Sequence, residues 1–164
     1  MRLYLHAGLP LTGTLAIQTW LLGNKDRLES AGVSTFSRTE LGHRLAAEGI
    51  TSPERRLEPD FPPILETRLE DVLQELNNAI HNKKITRIII SSEYFSIADP
   101  SLIKQKLSEL APLEVTIAFL LQRQDRFLEL DYTHGIIGTN RKEPIAGPHY
   151  SEALDWYKLI SRWS

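Results

Sequence analysis

The first twenty residues constrain the fold of this chain more than any other stretch. An apolar run from Leu3 to Leu5 leads into a glycine-containing segment, His6–Thr14, and a helical pattern follows from Leu15 to Leu22. In a strand that breaks at glycines and restarts as a helix, the turn amides and the first free N–H groups of the helix point in the same direction. The opening therefore predicts a binding loop for an anion such as a phosphate.

The side chains of this loop limit which phosphate it can hold. Gly8 and Gly13 have the glycine spacing of a triphosphate-binding loop, but Thr14-Leu15 replaces its Lys-Ser/Thr pair. These residues supply neither the positive charge that binds a triphosphate nor the pair of side chains that holds its magnesium ion. A kinase or nucleotidase of that class is therefore the weakest of the functional readings.

Strand patterns alternate with helical patterns along the whole chain. Predicted strands cover Arg2–Leu9, Val33–Phe36, Ile85–Ser91 and Val115–Leu121. Predicted helices cover Thr14–Ser30, Thr39–Glu48, Ile64–Asn82, Pro100–Leu110, Gln124–Ile137 and Tyr150–Trp163, and a polar, proline-rich loop covers Gly49–Pro63. Ile88-Ile89-Ile90 and the run Val115–Leu121 do not alternate with polar residues, as expected for strands buried on both faces of a parallel sheet. The pattern predicts an α/β fold, a three-layer open, mainly parallel sheet with helices on both faces.

Length and composition bound the class of protein. The 164 residues, 41% of them hydrophobic, suit one compact domain spanning 1–164. With 19 Lys plus Arg against 21 Asp plus Glu, we expect neither a nucleic acid nor a membrane as partner. The chain has no cysteine, which fits a cytoplasmic protein and removes thiolate chemistry, and no run approaches membrane-spanning length. The aromatic helix Tyr150–Trp163 predicts a homo-oligomer paired through it.

Polar residues follow three of the predicted strands, at the ends that would share one edge of a parallel sheet. His6 ends the first strand, Glu93 follows the third, and Arg123 follows the fourth. Each has a functional and a structural interpretation. His6 orients a phosphate or serves as a general base, or it is hydrogen-bonded to backbone. Glu93 is a base or a structural partner of the loop amides or of an arginine, and Arg123 binds an anion or caps its strand. The histidines, including His134 and His149, show no metal-ligand spacing, so no metal site is predicted.

Three segments together resemble bacterial sulfotransferase-family proteins. His6–Gln18 is similar to their loop, which typically reads His-x-Gly-x-Pro-Lys-Thr-Gly-Thr-Thr-x-x-Gln. Ile88–Glu93 resembles a strand ending in Ser-Ser-Glu in the middle of those proteins, and Phe119–Tyr132 resembles their segment Tyr-x-Arg-x-Gln-Asp with its following helix. The final helix, Tyr150–Trp163, looks like one that family members carry before a further C-terminal portion, which we expect this chain to lack.

The resemblance implies a P-loop NTPase-like fold that binds 3′-phosphoadenosine 5′-phosphosulfate and transfers its sulfuryl group to a hydroxyl or amine of an acceptor, without a metal. It implies a base that takes the proton of the acceptor, and Glu93 and His6 are the candidates for that catalytic role in this chain. The residues expected to bind the nucleotide are Pro10, Thr12, Gly13 and Thr14 of the loop. Arg123 would reach its 3′-phosphate from a position next to that of the family's arginine.

The chain departs from the family pattern at four polar positions. Leu11 replaces the loop lysine, Leu15 the second threonine, and Gln122 and Leu130 the arginine and serine that hold the 3′-phosphate. A charge-assisted hydrogen bond contributes roughly 1.5 to 3 kcal/mol, so these losses weaken nucleotide binding by several powers of ten. Two functions therefore stay open: a sulfotransferase with an altered donor site, and a noncatalytic relative that serves as a binding or assembly module.

Overall fold

The structure, a computed structural model, describes residues 1–9, 11–35, 39–48, 68–110, 112–139 and 155–164. Its strands are β1 (Arg2–Gly8), β2 (Val33–Thr35), β3 (Arg87–Ser91) and β4 (Glu114–Leu120). Its helices are α1 (Thr14–Gly23), α2 (Lys25–Ser30), α3 (Thr39–Glu48), α4 (Leu69–His81), α5 (Pro100–Ser108), α6 (Gln124–Thr139) and α7 (Trp156–Ser161), with a 3₁₀ helix over Glu93–Ser96.

The strands form one four-stranded sheet in the order β2-β3-β1-β4. Every pair is parallel, with Leu3 of β1 opposite Ile88 of β3 on one side and Val115 of β4 on the other. The prediction of an α/β fold built on a parallel sheet is thereby confirmed. Because all four strands run the same way, their carboxyl ends share one edge of the sheet.

The hydrophobic core lies between one face of this sheet and three of the helices. Leu3 and Leu5 of β1 point into it, and Phe95 of the 3₁₀ helix is fully buried at its centre. Further core residues come from α3, α4, β3 and α5: Leu45, Ala46, Val72, Leu76, Ile88, Ile90, Ile103 and Leu107. Burial of each large aliphatic side chain stabilises the fold by about 1.5 to 3 kcal/mol, so this cluster holds β1 and β3 in place below the edge that carries the polar residues.

Strand β4 differs from the prediction that it is buried. Glu114, Val115, Thr116 and Ala118 are exposed, and Val115 leaves 41% of its surface accessible. The prediction was wrong because, among the strands that the structure describes, β4 is the last in the sheet order and has β1 as its one neighbour. An apolar run that is typical of a central strand therefore lies here at the edge of the described sheet.

The predicted helix Thr14–Ser30 is two helices, α1 and α2, which Asn24 separates. Both the backbone N–H and the side-chain Nδ2 of Asn24 donate to the carbonyl of Trp20, at 3.1 and 2.9 Å. A side chain that competes for backbone groups in this way ends a helix. Helix α3 has the predicted bounds, Thr39–Glu48.

Several predicted features lie wholly or partly outside the described residues. They are Pro10, the loop Gly49–Pro63, the first residues of the predicted helix Ile64–Asn82, and residues 150–154 of the predicted last helix. Within the ranges that the structure does describe, no helix is both long and apolar enough to cross a membrane, and no three His, Cys, Asp or Glu side chains gather as a metal site would require.

The last helix packs partly against its own chain. The ring of Trp156 meets Phe127 edge-on at 5.6 Å between centroids, and Trp163 meets Phe95 in the same way at 6.3 Å. Tyr157, which lies between them in the chain, is 83% exposed. Because Trp156 and Trp163 pack against their own chain, this helix offers a partner less apolar surface than the sequence suggests. Self-association through it stays a prediction.

Candidate functional site

The carboxyl ends of β1 and β3 lie side by side at a point where the sheet reverses its winding. The connection that leaves β1 leads toward β2 at one edge of the sheet, whereas the one that leaves β3 leads toward β4 at the other. Open parallel sheets bind their ligands in the crevice outside the strand ends at such a switch point. The predicted residues His6 and Glu93 both stand here.

His6 and Ser91 form the buried centre of this region. They are register partners on β1 and β3, and His6 Nδ1 lies 2.8 Å from Ser91 Oγ. Each of the two residues is 8% exposed. The other ring nitrogen, His6 Nε2, is also buried and has no hydrogen-bond partner among the described residues.

The loop after β1 closes with a tight turn. Thr12 donates twice to the carbonyl of Leu9, from its backbone N–H at 3.3 Å and from Oγ1 at 2.6 Å. Leu11 and Gly13 have left-handed backbone angles, with φ of 64° and 95°. Only glycine adopts that region without strain, which accounts for Gly13 directly before helix α1. One of the amides predicted to hold an anion, that of Thr12, is thus engaged within the loop.

Thr14 begins α1 and fills the space beside Gly8. A Cβ atom added at Gly8 would lie 1.7 Å from Thr14 Oγ1 and 3.3 Å from His6 Cε1. Glycine is therefore required at position 8, because the hydroxyl of Thr14 and the imidazole of His6 crowd the same point. The histidine ring stands directly beside the first residue of a ten-residue helix, whose first N–H groups have no partners within the helix.

Gln18 also belongs to the site, although its position in the sequence did not predict a role for it. It lies one turn after Thr14 on the buried side of α1 and is 4% exposed. Its Nε2 donates to Glu93 Oε2 at 3.2 Å and to the carbonyl of Ser91 at 3.4 Å. The i, i+4 spacing of Thr14 and Gln18 on a largely apolar helix was the available signal.

Glu93 is held at the rim by the start of the 3₁₀ helix. Ser92 caps that helix, since its Oγ accepts from the N–H of Tyr94 at 3.1 Å, and Ser96 Oγ donates to the Glu93 carbonyl at 2.6 Å. These bonds leave the Glu93 side chain half-buried beside α1. Of the two serines that precede Glu93, Ser92 therefore caps the 3₁₀ helix at Tyr94, and Ser91 bonds to His6.

Burial and charge act on His6 in opposite directions. Removal from water lowers the pKa of His6 below its ordinary value of 6.5, and the nearby Glu93 carboxylate raises it. Burial is the larger of the two effects. It lowers the pKa because the charged imidazolium loses more solvation than the neutral imidazole does. At neutral pH the site accordingly holds an uncharged imidazole with one unused nitrogen.

Helix α3 approaches this region through a glycine. A Cβ atom added at Gly42 would lie 2.3 Å from the carbonyl oxygen of Ser91. That oxygen belongs to the backbone, which cannot move aside as the end of a side chain can. Gly42 thus allows the close contact between α3 and the carboxyl end of β3.

Arg123 stands apart from the buried cluster. Its side chain is 75% exposed and forms a forked ion pair with Asp125, with Nε 2.6 Å from Oδ1. The hydrogen bonds from Arg123 lower the pKa of Asp125 to about 2. This is the arrangement expected of a residue that caps the exit of β4.

Leucines are exposed at three of the positions where the resemblance implies polar residues. Leu11, Leu15 and Leu130 are 38%, 73% and 42% exposed. All three are more exposed than His6 and Thr14, which are 8% and 4% exposed.

Comparisons with known proteins complete the description of the site. No family model matches this chain, no curated protein matches it, and no solved structure matches it. The function must therefore be argued from the residues and their geometry.

Proposed function

We propose that the loop between β1 and α1 binds the sulfate or phosphate group of a nucleotide, and that the chain is a sulfotransferase-like protein of three-layer, P-loop-like architecture. One observation carries the proposal. A histidine nitrogen, His6 Nε2, is buried without a hydrogen-bond partner in the described structure, and the His6 ring and the hydroxyl of Thr14, the first residue of α1, both lie next to Gly8. A buried polar atom left without a partner costs about 1 to 3 kcal/mol, which a bound anion would remove.

The position of the loop in the sheet supports the same proposal. The N-terminus of α1 carries the partial positive charge of the helix dipole, which favours an anion at that point. The loop also lies at the carboxyl end of β1, which has a neighbouring strand on each side. A ligand there would meet the ends of β1 and β3 and the start of α1 together.

The proposed reaction is transfer of a sulfuryl group from phosphosulfate to an acceptor hydroxyl. The bond between sulfur and the bridging oxygen breaks, a bond between sulfur and the acceptor oxygen forms, and the nucleotide bisphosphate leaves. Glu93 would take the proton of the acceptor, since its carboxylate stands at the rim. His6 and the amides at Gly13 and Thr14 would stabilise negative charge on the transferred group, and Arg123 would reach the nucleotide only by leaving Asp125.

Restoring the missing lysine tests the binding site directly. We expect the Leu11→Lys protein to bind adenosine 3′,5′-bisphosphate about tenfold more tightly or better than the unmodified chain, because a charge-assisted hydrogen bond contributes roughly 1.5 to 3 kcal/mol. Isothermal titration calorimetry measures the difference. Leu22→Lys is the matched control, since Leu22 and Leu11 are 37% and 38% exposed while Leu22 lies at the far end of α1.

Two results would contradict the binding site. One is equal affinity of the Leu11→Lys and Leu22→Lys proteins for the bisphosphate, which would show a general effect of charge. The other is no measurable binding by any of the proteins. Sulfate transfer from the phosphosulfate donor to a panel of hydroxylated acceptors then tests catalysis separately.

A noncatalytic module is the second candidate, and the loop itself favours it. The hydroxyls of Thr12 and Thr14 both donate to the carbonyl of Leu9, at 2.6 and 3.4 Å, so neither is directed at a ligand. Leu15 and Trp20 give α1 an exposed apolar side, which suits contact with another protein. Binding of the bisphosphate without transfer to any acceptor would support this candidate over the enzyme.

A further inference from the structure

We propose that the anion in this loop binds together with a proton on His6, and that Ser91 is the positioning residue that allows His6 to carry it. The inference rests on the proposed function, because it concerns the same loop. It adds a regulation that neither the sequence nor the resemblance implies: occupancy of the site depends on pH.

Each nitrogen of His6 has a different environment. Nδ1 lies 2.8 Å from Ser91 Oγ, whereas Nε2 has no partner among the described residues and belongs to a side chain that is 8% exposed. Neutral imidazole donates from one nitrogen only, but imidazolium donates from both. With an anion beside Nε2, the protonated ring would satisfy both of its N–H groups at once.

Ser91 is suited to both protonation states. A serine hydroxyl can donate to a bare Nδ1 or accept from Nδ1–H by rotating its hydrogen. A carbonyl or carboxylate in its place would accept only and would hold the ring in one tautomer. The hydroxyl therefore permits a change in the charge of His6 without movement of either strand.

The charge that acts on His6 in the described structure is negative. It belongs to the Glu93 carboxylate, which favours the protonated ring. Helix α1 contributes the uncharged Thr14 and Gln18, and the residue opposite His6 on β4 is Ala118. Gln18 donates to Glu93 Oε2 at 3.2 Å and so holds the carboxylate beside the ring.

Linkage fixes the direction of the pH dependence. Burial keeps the pKa of His6 in the free protein below 6.5, and an anion next to Nε2 raises it. Between these two pKa values, binding takes up a proton, so affinity falls as pH rises, by at most about tenfold per pH unit. Above both values the ring is neutral and affinity is at its lowest level.

Inorganic sulfate is the appropriate probe, because it remains a dianion throughout the pH range in which histidine titrates. The experiment follows the imidazole ¹⁵N resonances of the full chain across pH, with and without saturating sulfate. We expect sulfate to raise the pKa of His6 and to leave the ¹⁵N resonances of His81 unmoved at each pH. His81 is an internal control, since it is exposed at the end of α4 with its Nδ1 2.9 Å from the Asn77 carbonyl.

Two variants of Ser91 separate positioning from packing. In Ser91→Ala, Nδ1–H of the protonated ring has no acceptor, so the pKa of His6 should be lower than in the unmodified chain both with and without saturating sulfate. Ser91→Thr keeps the hydroxyl and should restore the pKa in both conditions. Equal pKa values of His6 in the Ala and Thr variants would overturn the role assigned to Ser91.

The outcomes distinguish this inference from the function on which it rests. Sulfate that binds with the same affinity at every pH, and leaves the pKa of His6 unchanged, overturns the proton linkage while the anion site stands. Absence of sulfate binding to the unmodified chain at any pH overturns both. These readouts come from the unmodified protein, so they decide the matter even where a variant fails to fold.

Discussion

Two polar regions at the same edge of the sheet have opposite characters. At the ends of β1 and β3, His6 and Ser91 are each 8% exposed and are bonded to each other. At the end of β4, Arg123 is 75% exposed and pairs with Asp125 two residues along the chain. The first pair joins residues 85 positions apart, whereas the second is local.

The difference follows from the position of each strand in the sheet. β1 has neighbours on both sides, and helices α1 and α3 approach the ends of β1 and β3, so the polar groups there lose water and depend on one another. β4 is the last of the described strands in the order, and the side chain of Arg123, which follows it, is 75% exposed. Buried polar groups have large effects on stability and on pKa, whereas exposed ion pairs have small ones.

The largest effect is expected where helix α3 meets the end of β3. Gly42→Ala places a Cβ atom 2.3 Å from the Ser91 carbonyl oxygen, and such overpacking lowers the free energy of unfolding by about 1 to 3 kcal/mol. Urea denaturation measures the change. The control is Gly23→Ala on α1, where nothing lies within 4 Å of the added Cβ atom.

The control should move in the other direction. Alanine is the better helix former, so Gly23→Ala should leave stability unchanged or raise it by up to about 1 kcal/mol. Equal destabilisation by the two substitutions would show that the approach of α3 to Ser91 has no special role.

An intermediate effect is expected from the titration of His6. Because its pKa in the folded protein lies below the ordinary value of 6.5, the unfolded chain binds more protons as the pH falls through that value. Stability contributed by the neutral ring is therefore present above pH 6.5 and decreases below it, until His6 is protonated in the folded state as well. Urea denaturation at a series of pH values, in buffers free of sulfate and phosphate, measures this decrease.

The His6→Gln variant isolates that contribution. Glutamine cannot titrate, so the variant should lose less stability than the unmodified chain over the same pH range. His81→Gln, which removes an exposed histidine, controls for the substitution itself. If the His6→Gln and unmodified profiles run parallel, the buried imidazole is not responsible for the pH dependence.

The smallest effect on stability is expected at the exposed pair. In Arg123→Gln the charged partner of Asp125 is lost, so the pKa of Asp125 should rise from about 2 toward its ordinary value of 3.8. The carboxyl ¹³C resonance of Asp125 reports this rise, while the thermal midpoint should not change measurably. Arg126→Gln is a control, since Arg126 pairs with Glu129 at 2.8 Å, and a similar rise at Asp125 in that variant would contradict the local pairing.

Particular residues show which parts of the fold and of the site could be predicted from the sequence. The apolar runs located all four strands, Gly13 marked the start of α1, and α3 has the predicted bounds. Predictions failed where an apolar pattern has two possible settings, as in β4, and where a side chain competed for backbone groups, as at Asn24. The Gln18 contacts with Glu93 and Ser91 could not be predicted, because they join segments more than 70 residues apart.

The amino-acid sequence by itself determined the alternation of strands and helices, and with it the placement of polar residues after the strands. That information is local, since periodicity and turn chemistry act over a few neighbouring residues. Only the tertiary structure decided that β1 lies between β3 and β4, so that His6 is buried against Ser91 while Arg123 remains in solvent. Strand order sets which polar groups lose their water, and it depends on packing among segments that are distant in the chain.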